Sequence, residues 1–484
     1  MWLKNILLYI LLLSTITGNA QPPKKFYCRY GGNGYDEGND VKQTLDGGYI
    51  ITGSTSSIGQ GNTDMYLLKL DSMGQVTFQK TFGGVSNEIG KSIVQLPDSS
   101  YVMAGYTSSS GVGGYDVFLV KADKAGNLIW QKTIGGADWD FANSMDTVTG
   151  GGFIIAGTTY SYGKGNADGF VIKTDANGDT TWTKTFGGLK DDEFKSVIQT
   201  SDGNYALTGY TKSFNDSLGD VWALKLDING DTLWRKFYGG VKEDFGNGII
   251  QLQNSNIFIC GTTKSLSMNN NRETLILTYD LISGNALYNY RDVSNQDEFY
   301  NCAAQSLNGN IANCGSTKNA VFGYDGLIDM YNSSYGYVNF FSEGTTMYEE
   351  FFSISKTKDK GFVAVGKTNG YNAVLNDVFF MKVDSLGSFG NSIIGIKEKE
   401  QDKIVLSIYP NPTSDYIHLK ISNYKNYKKL QYQIIDLNGR VILLNTIEEF
   451  IKTIETSSLS DGLYLLQIFD SNILLSSSKI SVIK

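Results

Sequence analysis

The chain repeats itself. Taking the glycine that closes the central apolar run of each copy as a ruler gives Gly53, Gly105, Gly157, Gly209, Gly261, Gly315 and Gly366, at intervals of 52, 52, 52, 52, 54 and 51 residues. A unit of about fifty residues made of short strands cannot bury both faces alone, so each copy must stack on its neighbours, and such an array closed on itself is a β-propeller. The second copy displays the unit: GKSIVQL, a turn at PDSS, YVMAGYT, a polar loop, YDVFLVKAD, a turn at KAGN, then LIWQKTIGG. We call these strands a to d. The a to b turns carry Asp46-Gly47, Asp202-Gly203 or Asn308-Gly309, and the c to d turns place Gly74, Gly126, Gly178 and Gly230 three residues after an Asp. Both patterns suit tight turns that need a positive φ. The expected fold is all-β: a seven-bladed β-propeller of four-stranded antiparallel blades, followed by a small β-sandwich.

The seventh copy lacks a recognisable strand d, while Phe26-Tyr27-Cys28-Arg29-Tyr30 aligns with the strand d that begins near Phe78 and has no a, b or c strand before it. The N-terminal segment is therefore expected to complete the last blade and leave no open edge. Strand d carries a large aromatic at one place (Phe78, Trp130, Trp182, Trp234), read as packing between blades rather than a sugar-stacking surface.

Residues 1–20 read as a signal peptide, with Lys4, an apolar run from Ile6 to Leu13, and Gly18 and Ala20 before Gln21. That run is well short of a membrane span, so no transmembrane helix is expected in the mature chain. The propeller is assigned to 21–390, a charged linker to 391–404, and a β-sandwich of about seven short strands to 405–484. This last part contains Tyr409-Pro410-Asn411-Pro412, then Ile435-Asp436-Leu437-Asn438-Gly439-Arg440, then Ser460-Asp461-Gly462-Leu463-Tyr464, and ends Lys-Ile-Ser-Val-Ile-Lys at Lys484. The ordered set resembles the type A C-terminal sorting domain of proteins exported by the type IX secretion system of Bacteroidetes. The resemblance implies export to the periplasm, passage across the outer membrane to the surface or the medium, and the type IX secretion machinery as a partner. It also makes Tyr409, Pro410, Asn411, Pro412, Gly439, Gly462, Tyr464 and Lys484 the sorting motif. The repeats resemble propeller repeats often found upstream of such domains.

Residues 21–390 carry 29 basic against 39 acidic side chains, which argues against a nucleic-acid partner. The single histidine, His418, lies in the last domain, so the propeller has no histidine base or metal ligand. No catalytic residue, metal site or cofactor is assigned. Of the four cysteines, Cys302 and Cys314 share a hairpin, and a two-residue turn at Asn308-Gly309 would point them to opposite faces unless a bulge intervenes.

Two acidic columns recur in every copy. One is Asp36, Glu88, Asp140, Asp192, Asp244, Glu298 and Glu349; the other is Asp64, Asp116, Asp168, Asp220, Glu273, Asp325 and Asp377. A Thr column in strand b, Thr55 to Thr368, lies between them, and a strand c Lys (Lys69, Lys121, Lys173, Lys225, Lys382) completes the set in five copies. A ring of calcium sites or a glycosidase pair would use such acids. Sevenfold recurrence favours hydrogen bonds that tie loops to strands. Specificity should lie in what differs between blades. Trp139, Tyr160, Tyr162 and Phe214, set among Gly, Ser and Asn in the loops of one face, are the candidate surface for an extracellular glycan or protein. The chain thus reads as an exported binding or scaffold module, with a carbohydrate-active enzyme using a carboxylate pair in the funnel, or a structural surface-layer protein, as alternatives.

Overall fold

The computed structural model describes residues 25–214, 218–265, 267, 271–291, 296–319, 323–371, 373–387, 406–421, 430–436, 440–447, 451–470 and 473–484. The expected signal peptide (1–20), the expected linker (391–404) and Gly439 lie outside them. The chain divides into two compact units, Met1–Ile394 and Gly395–Lys484.

In the first unit, seven four-stranded antiparallel sheets follow one another. Blade one runs a (Asp36–Gln43), b (Tyr49–Thr55), c (Asp64–Leu70) and d (Val76–Phe82). Each strand a packs on those of the blades before and after, and Asp36–Gln43 meets the last one, Glu349–Lys356, so the sheets form a closed ring. Strands b and c are buried along almost their whole length, whereas strand d alternates between exposed and half-buried positions. Strand a is innermost. Each carries a β-bulge at the same place, such as Gly38/Asp40 and Phe194/Ser196. Residues of all seven line one central channel of about 810 Å³.

The expected closure is present. Phe26–Tyr30 pairs antiparallel with Asp377–Val383, the strand c of the blade that lacks its own strand d. Phe26, Cys28 and Tyr30 are buried, and the Tyr30 hydroxyl donates to the Gly74 carbonyl at 2.6 Å.

The strand d aromatics and the Asp-x-x-Gly turns prove to be one device. Each ring lies against the left-handed glycine of the next blade's c to d turn: Phe26 on Gly74, Phe78 on Gly126, Trp130 on Gly178, Trp182 on Gly230 and Trp234 on Gly284. A Cβ at any of these glycines would stand 2.5 to 2.9 Å from the ring. Only Phe26 and Trp234 are buried; Phe78, Trp130 and Trp182 are half-buried, because the contact lies at the outer rim. Gly203 has the same left-handed φ but nothing within 4 Å of a Cβ built on it, which separates backbone strain from ring contact. Gly203→Ala is expected to cost about 1 kcal/mol and Gly178→Ala about 2 to 3 kcal/mol. Urea denaturation in a Trp130→Ala background should show the excess disappear.

The hairpin bearing Cys302 and Cys314 differs from expectation. Its turn holds three residues, Leu307 to Gly309, between the paired Ser306 and Asn310, and a bulge follows Tyr300. The extra turn residue shifts the register by one and sets Cys302 directly opposite Cys314. Both are free thiols.

The second unit comprises a three-stranded and a four-stranded sheet around a core that includes Ile417, Leu419, Ile434, Leu466 and Ile480. The motif residues fasten its last strand. Asn411 donates from Nδ2 to the Lys479 carbonyl at 2.9 Å and accepts from the Ser481 amide at 2.8 Å, within a turn where both Pro410 and Pro412 follow cis peptide bonds. Tyr464 donates to the Ser460 carbonyl at 3.0 Å, just before Gly462, and the Lys484 ammonium to that of Ser457 at 2.6 Å. Tyr409 is exposed, its ring tilted against His418 with centroids 5.5 Å apart.

Candidate functional site

The acidic columns are structural ties. Asp36 opens strand a of blade one; its carboxylate accepts from Thr55 Oγ1, from Ser57 Oγ at 2.6 Å and from the Gly32 amide at 2.8 Å. The same Thr-to-acid bond recurs at Glu88, Asp140, Asp192, Glu298 and Glu349. Blade five departs from the pattern: Ser265 reaches Asp244, while Thr263 Oγ1 is buried with no partner among the described residues. In the second column Asp64, Asp116 and Asp168 cap the b to c loops, Asp168 accepting from the Lys164 and Gly165 amides at 2.8 and 2.9 Å, whereas Asp377 pairs with Arg29 and Glu273 Oε2 is buried with no partner among the described residues. The columns meet at the glycine that follows strand d. A Cβ on Gly31, Gly83, Gly135, Gly187, Gly239 or Gly344 would fall within 3.0 Å of one acid from each. That crowding raises the carboxyls of Asp64 and Asp116, by burial first and then by the charges of Glu88 and Asp140.

The strand c lysines do not complete this set. They lie at the opposite ends of the blades and hold the a to b turns: Lys69 to Asp46, Lys225 to Asp202 and Lys382 to Asp359, at 3.0, 2.5 and 2.9 Å. Blade three has Thr149 and three glycines in that turn, and Lys173 forms no such pair among the described residues. The alternation of a strand places both types in one segment but says nothing about which end each reaches.

The four candidate aromatics fall into two groups. Trp139 and Tyr160 stand together, ring centroids 6.0 Å apart and 52% and 44% exposed, over Phe141 at 6.3 and 6.4 Å. Tyr115 and Tyr106 of blade two extend the patch, each within 5.6 Å of Phe141. Gly114 permits the overlap, since a Cβ there would be 2.2 Å from the Trp139 indole nitrogen. Tyr162 turns toward a blade junction, its ring 5.8 Å from Phe170 and its hydroxyl donating to the Gly135 carbonyl at 2.8 Å. Phe214 is one repeat further on and lies likewise, 5.9 Å from Trp222. Sequence reasoning missed Phe141, Tyr106 and Tyr115; the available signal was that Phe141, Phe245 and Phe299 share the second position of strand a.

Comparison between blades shows what is particular to Trp139 and Tyr160. At the same two positions blade four has Asp191 and Lys212, an ion pair at 3.0 Å, and blade five has Glu243 and Lys264, paired at 2.7 Å. One backbone bond joins the two positions in each blade: Tyr160 to Trp139 at 2.8 Å, Lys212 to Asp191 and Lys264 to Glu243 at 3.0 Å. Blade three thus shares this backbone bond with blades four and five and sets an exposed aromatic pair where those two set an ion pair.

The junction of blades five and six carries a further ion pair. Arg272 bonds Asp297 through Nε and Nη2, at 3.1 and 2.8 Å to Oδ2, and its guanidinium lies 4.1 Å from the Phe299 ring centre. Burial opposes ionisation of Asp297, but hydrogen bonds from Arg272 and Tyr324 outweigh it and hold the carboxyl at about 2. A depressed carboxyl contributes stability above its unfolded value and loses it as pH falls through the folded one. The melting temperature of Asp297→Asn should thus lie below that of the wild type above about pH 4 and converge with it near pH 2.

The channel acids are also engaged. Asp40 pairs with Lys42 at 2.7 Å and accepts from the Ile93 amide at 3.0 Å and Ser353 Oγ at 2.7 Å. Asp146 accepts from the Gln199 amide at 2.9 Å.

Residues 407–484 match the secretion system C-terminal sorting domain. The chain is accordingly a β-propeller protein with a type IX sorting domain, which carries it across the outer membrane to the surface or the medium and engages the type IX machinery. Among the described residues no helix is long and apolar enough to cross a membrane. A curated relative, the regulatory protein FlaEY of Caulobacter vibrioides, is 29% identical over 224 residues, covering 42% of this chain and 22% of the relative. Solved structures that resemble the chain include PorZ, a surface component of the type IX secretion system of Porphyromonas gingivalis (11% identity, 92% of this chain and 60% of that one, TM-score 0.41). The Pan2 WD40 domain of Neurospora crassa is a second (11% identity, 74% and 92%, TM-score 0.42). At that level of likeness the sheets' own hydrogen bonding, not the neighbours, defines the fold.

Proposed function

We propose that the propeller is a binding module that works outside the cell and holds a neutral glycan on the blade three surface made by Trp139 and Tyr160. In this reading residues 1–20 are a signal peptide, 21–390 the working domain, 391–404 a linker and 405–484 the cleavable sorting domain. The observation that carries it is the aromatic pair standing where blades four and five have ion pairs. Exposed rings edge to face, flanked by Phe141 and Tyr115, offer the flat apolar area that sugar C–H faces stack on, at little entropic cost. The acidic balance of the repeats disfavours anionic polymers. The Thr-bonded acids of the rim and the engaged Asp40 and Asp146 of the channel weigh against a catalytic carboxylate pair.

Glycan-array binding of the mature propeller, with protein capture from culture medium alongside, tests this. Neutral glycans that quench tryptophan fluorescence on binding are the expected result. Binding to proteins alone would overturn the glycan reading, and binding to neither would overturn the module.

A further inference from the structure

A second site stands at the junction of blades three and four. A cavity of about 210 Å³ is lined by Lys164 from the blade three b to c loop, by Phe186 and Gly187 at the end of that blade's strand d, and by Phe214, Trp222 and Arg235 of blade four. Its origin can be read from the repeat. One blade earlier Tyr162 occupies the Phe214 position, and its hydroxyl reaches across to the Gly135 carbonyl at 2.8 Å. Phe214 has no hydroxyl, and the space beside Gly187 stays open.

The lining is chemically unlike the rest of the propeller. The Arg235 guanidinium lies 5.1 Å from the centre of the Phe214 ring and 5.9 Å from that of Phe237, and neither Arg235 nor Lys164 has a carboxylate partner among the described residues. The one acid in the wall, Asp168, spends an oxygen on the Lys164 and Gly165 amides. Lys164 and Arg235 thus set two cations in one wall, beside a carboxylate already engaged with backbone amides. Trp222 is 2% exposed, and its indole N–H has no acceptor among the described residues. Position for position, the preceding junction offers Val112, Tyr162, Phe170 and Thr183, with no cation at all.

We propose that this inter-blade pocket binds a compact amphipathic carboxylate, its head between Lys164 and Arg235 and its ring or short aliphatic body against Phe186, Phe214 and Trp222. The room suits a single ring, not a chain. The carboxylate could belong to a free aromatic acid or to a uronic acid at the end of a saccharide, and the two are separated by experiment. This inference does not rest on the Trp139 and Tyr160 surface.

Calorimetric titration of the full mature chain with benzoate and with glucuronate, against benzyl alcohol and glucose as neutral counterparts, tests it. At least one acid should bind while its neutral counterpart does not, weakening with added salt. Arg235→Gln should weaken that affinity about tenfold or more, as loss of a charge-assisted contact does. Phe214→Tyr, which restores the hydroxyl found in blade three, should abolish it with an unchanged far-UV spectrum. Response to benzoate alone assigns the free acid, and to glucuronate alone the saccharide end. Equal binding of a neutral counterpart, undiminished binding by Phe214→Tyr, or no binding of either acid at millimolar concentration would overturn the proposal.

Discussion

Removing Phe26–Tyr30 should lower the melting temperature by about 10 °C or more and expose apolar surface, since several large buried side chains are lost together. The strand is short, but it joins the two ends of the chain. It pairs along its whole length with Asp377–Val383, and Phe26, Cys28 and Tyr30 enter a core with Tyr49, Tyr66 and Phe380 that spans blades seven and one. Arg29 pairs with Asp377, and Lys25 with Asp384 at 3.0 Å. Without it the edge of Asp377–Val383 is open and Gly74 loses the Phe26 ring that seats it. Calorimetry and dye binding on the shortened chain check this. An unchanged melting temperature would show that the ring holds without its closing strand.

Asp192→Ala should cost about 3 to 5 kcal/mol, although no charge partner is lost, because it strands several buried donors at once. Asp192 is fully buried and accepts from Thr211 Oγ1, from Ser213 Oγ at 2.5 Å and from the Gly188 amide at 2.8 Å. Asp192→Asn, with one acceptor oxygen in place of two, should fall between. If the column instead held calcium, chelation would reproduce the loss in the wild type. The expected result is a urea transition insensitive to EDTA in the wild type and shifted strongly in Asp192→Ala. A cost below about 1 kcal/mol would mean that these donors find other acceptors.

The period, the turns and the closing strand were legible because each follows from a local rule: a fixed repeat, a left-handed glycine, an orphan strand pattern. What escaped was set by geometry between elements. Tyr160 and Tyr162 are two residues apart, which in a strand would put them on one face. The strand ends at Thr159, however, so one ring joins Trp139 and the other leans into a junction. The cysteine register turned on a single extra turn residue. The lysine column shares its strands with the acids but points to the far turns, a distinction that depends on strand direction and length. The cavity beside Phe214 lies between two blades, and its contrast with Tyr162, whose hydroxyl bonds Gly135, shows only in three dimensions.

The most direct test of the binding surface uses the chain's own alternative. Trp139→Asp combined with Tyr160→Lys installs in blade three the ion pair that blades four and five carry on the same backbone frame. Glycan affinity of this double variant should be measured together with its melting temperature. The account predicts an unchanged melting temperature and no detectable glycan binding; full binding by the variant would contradict it.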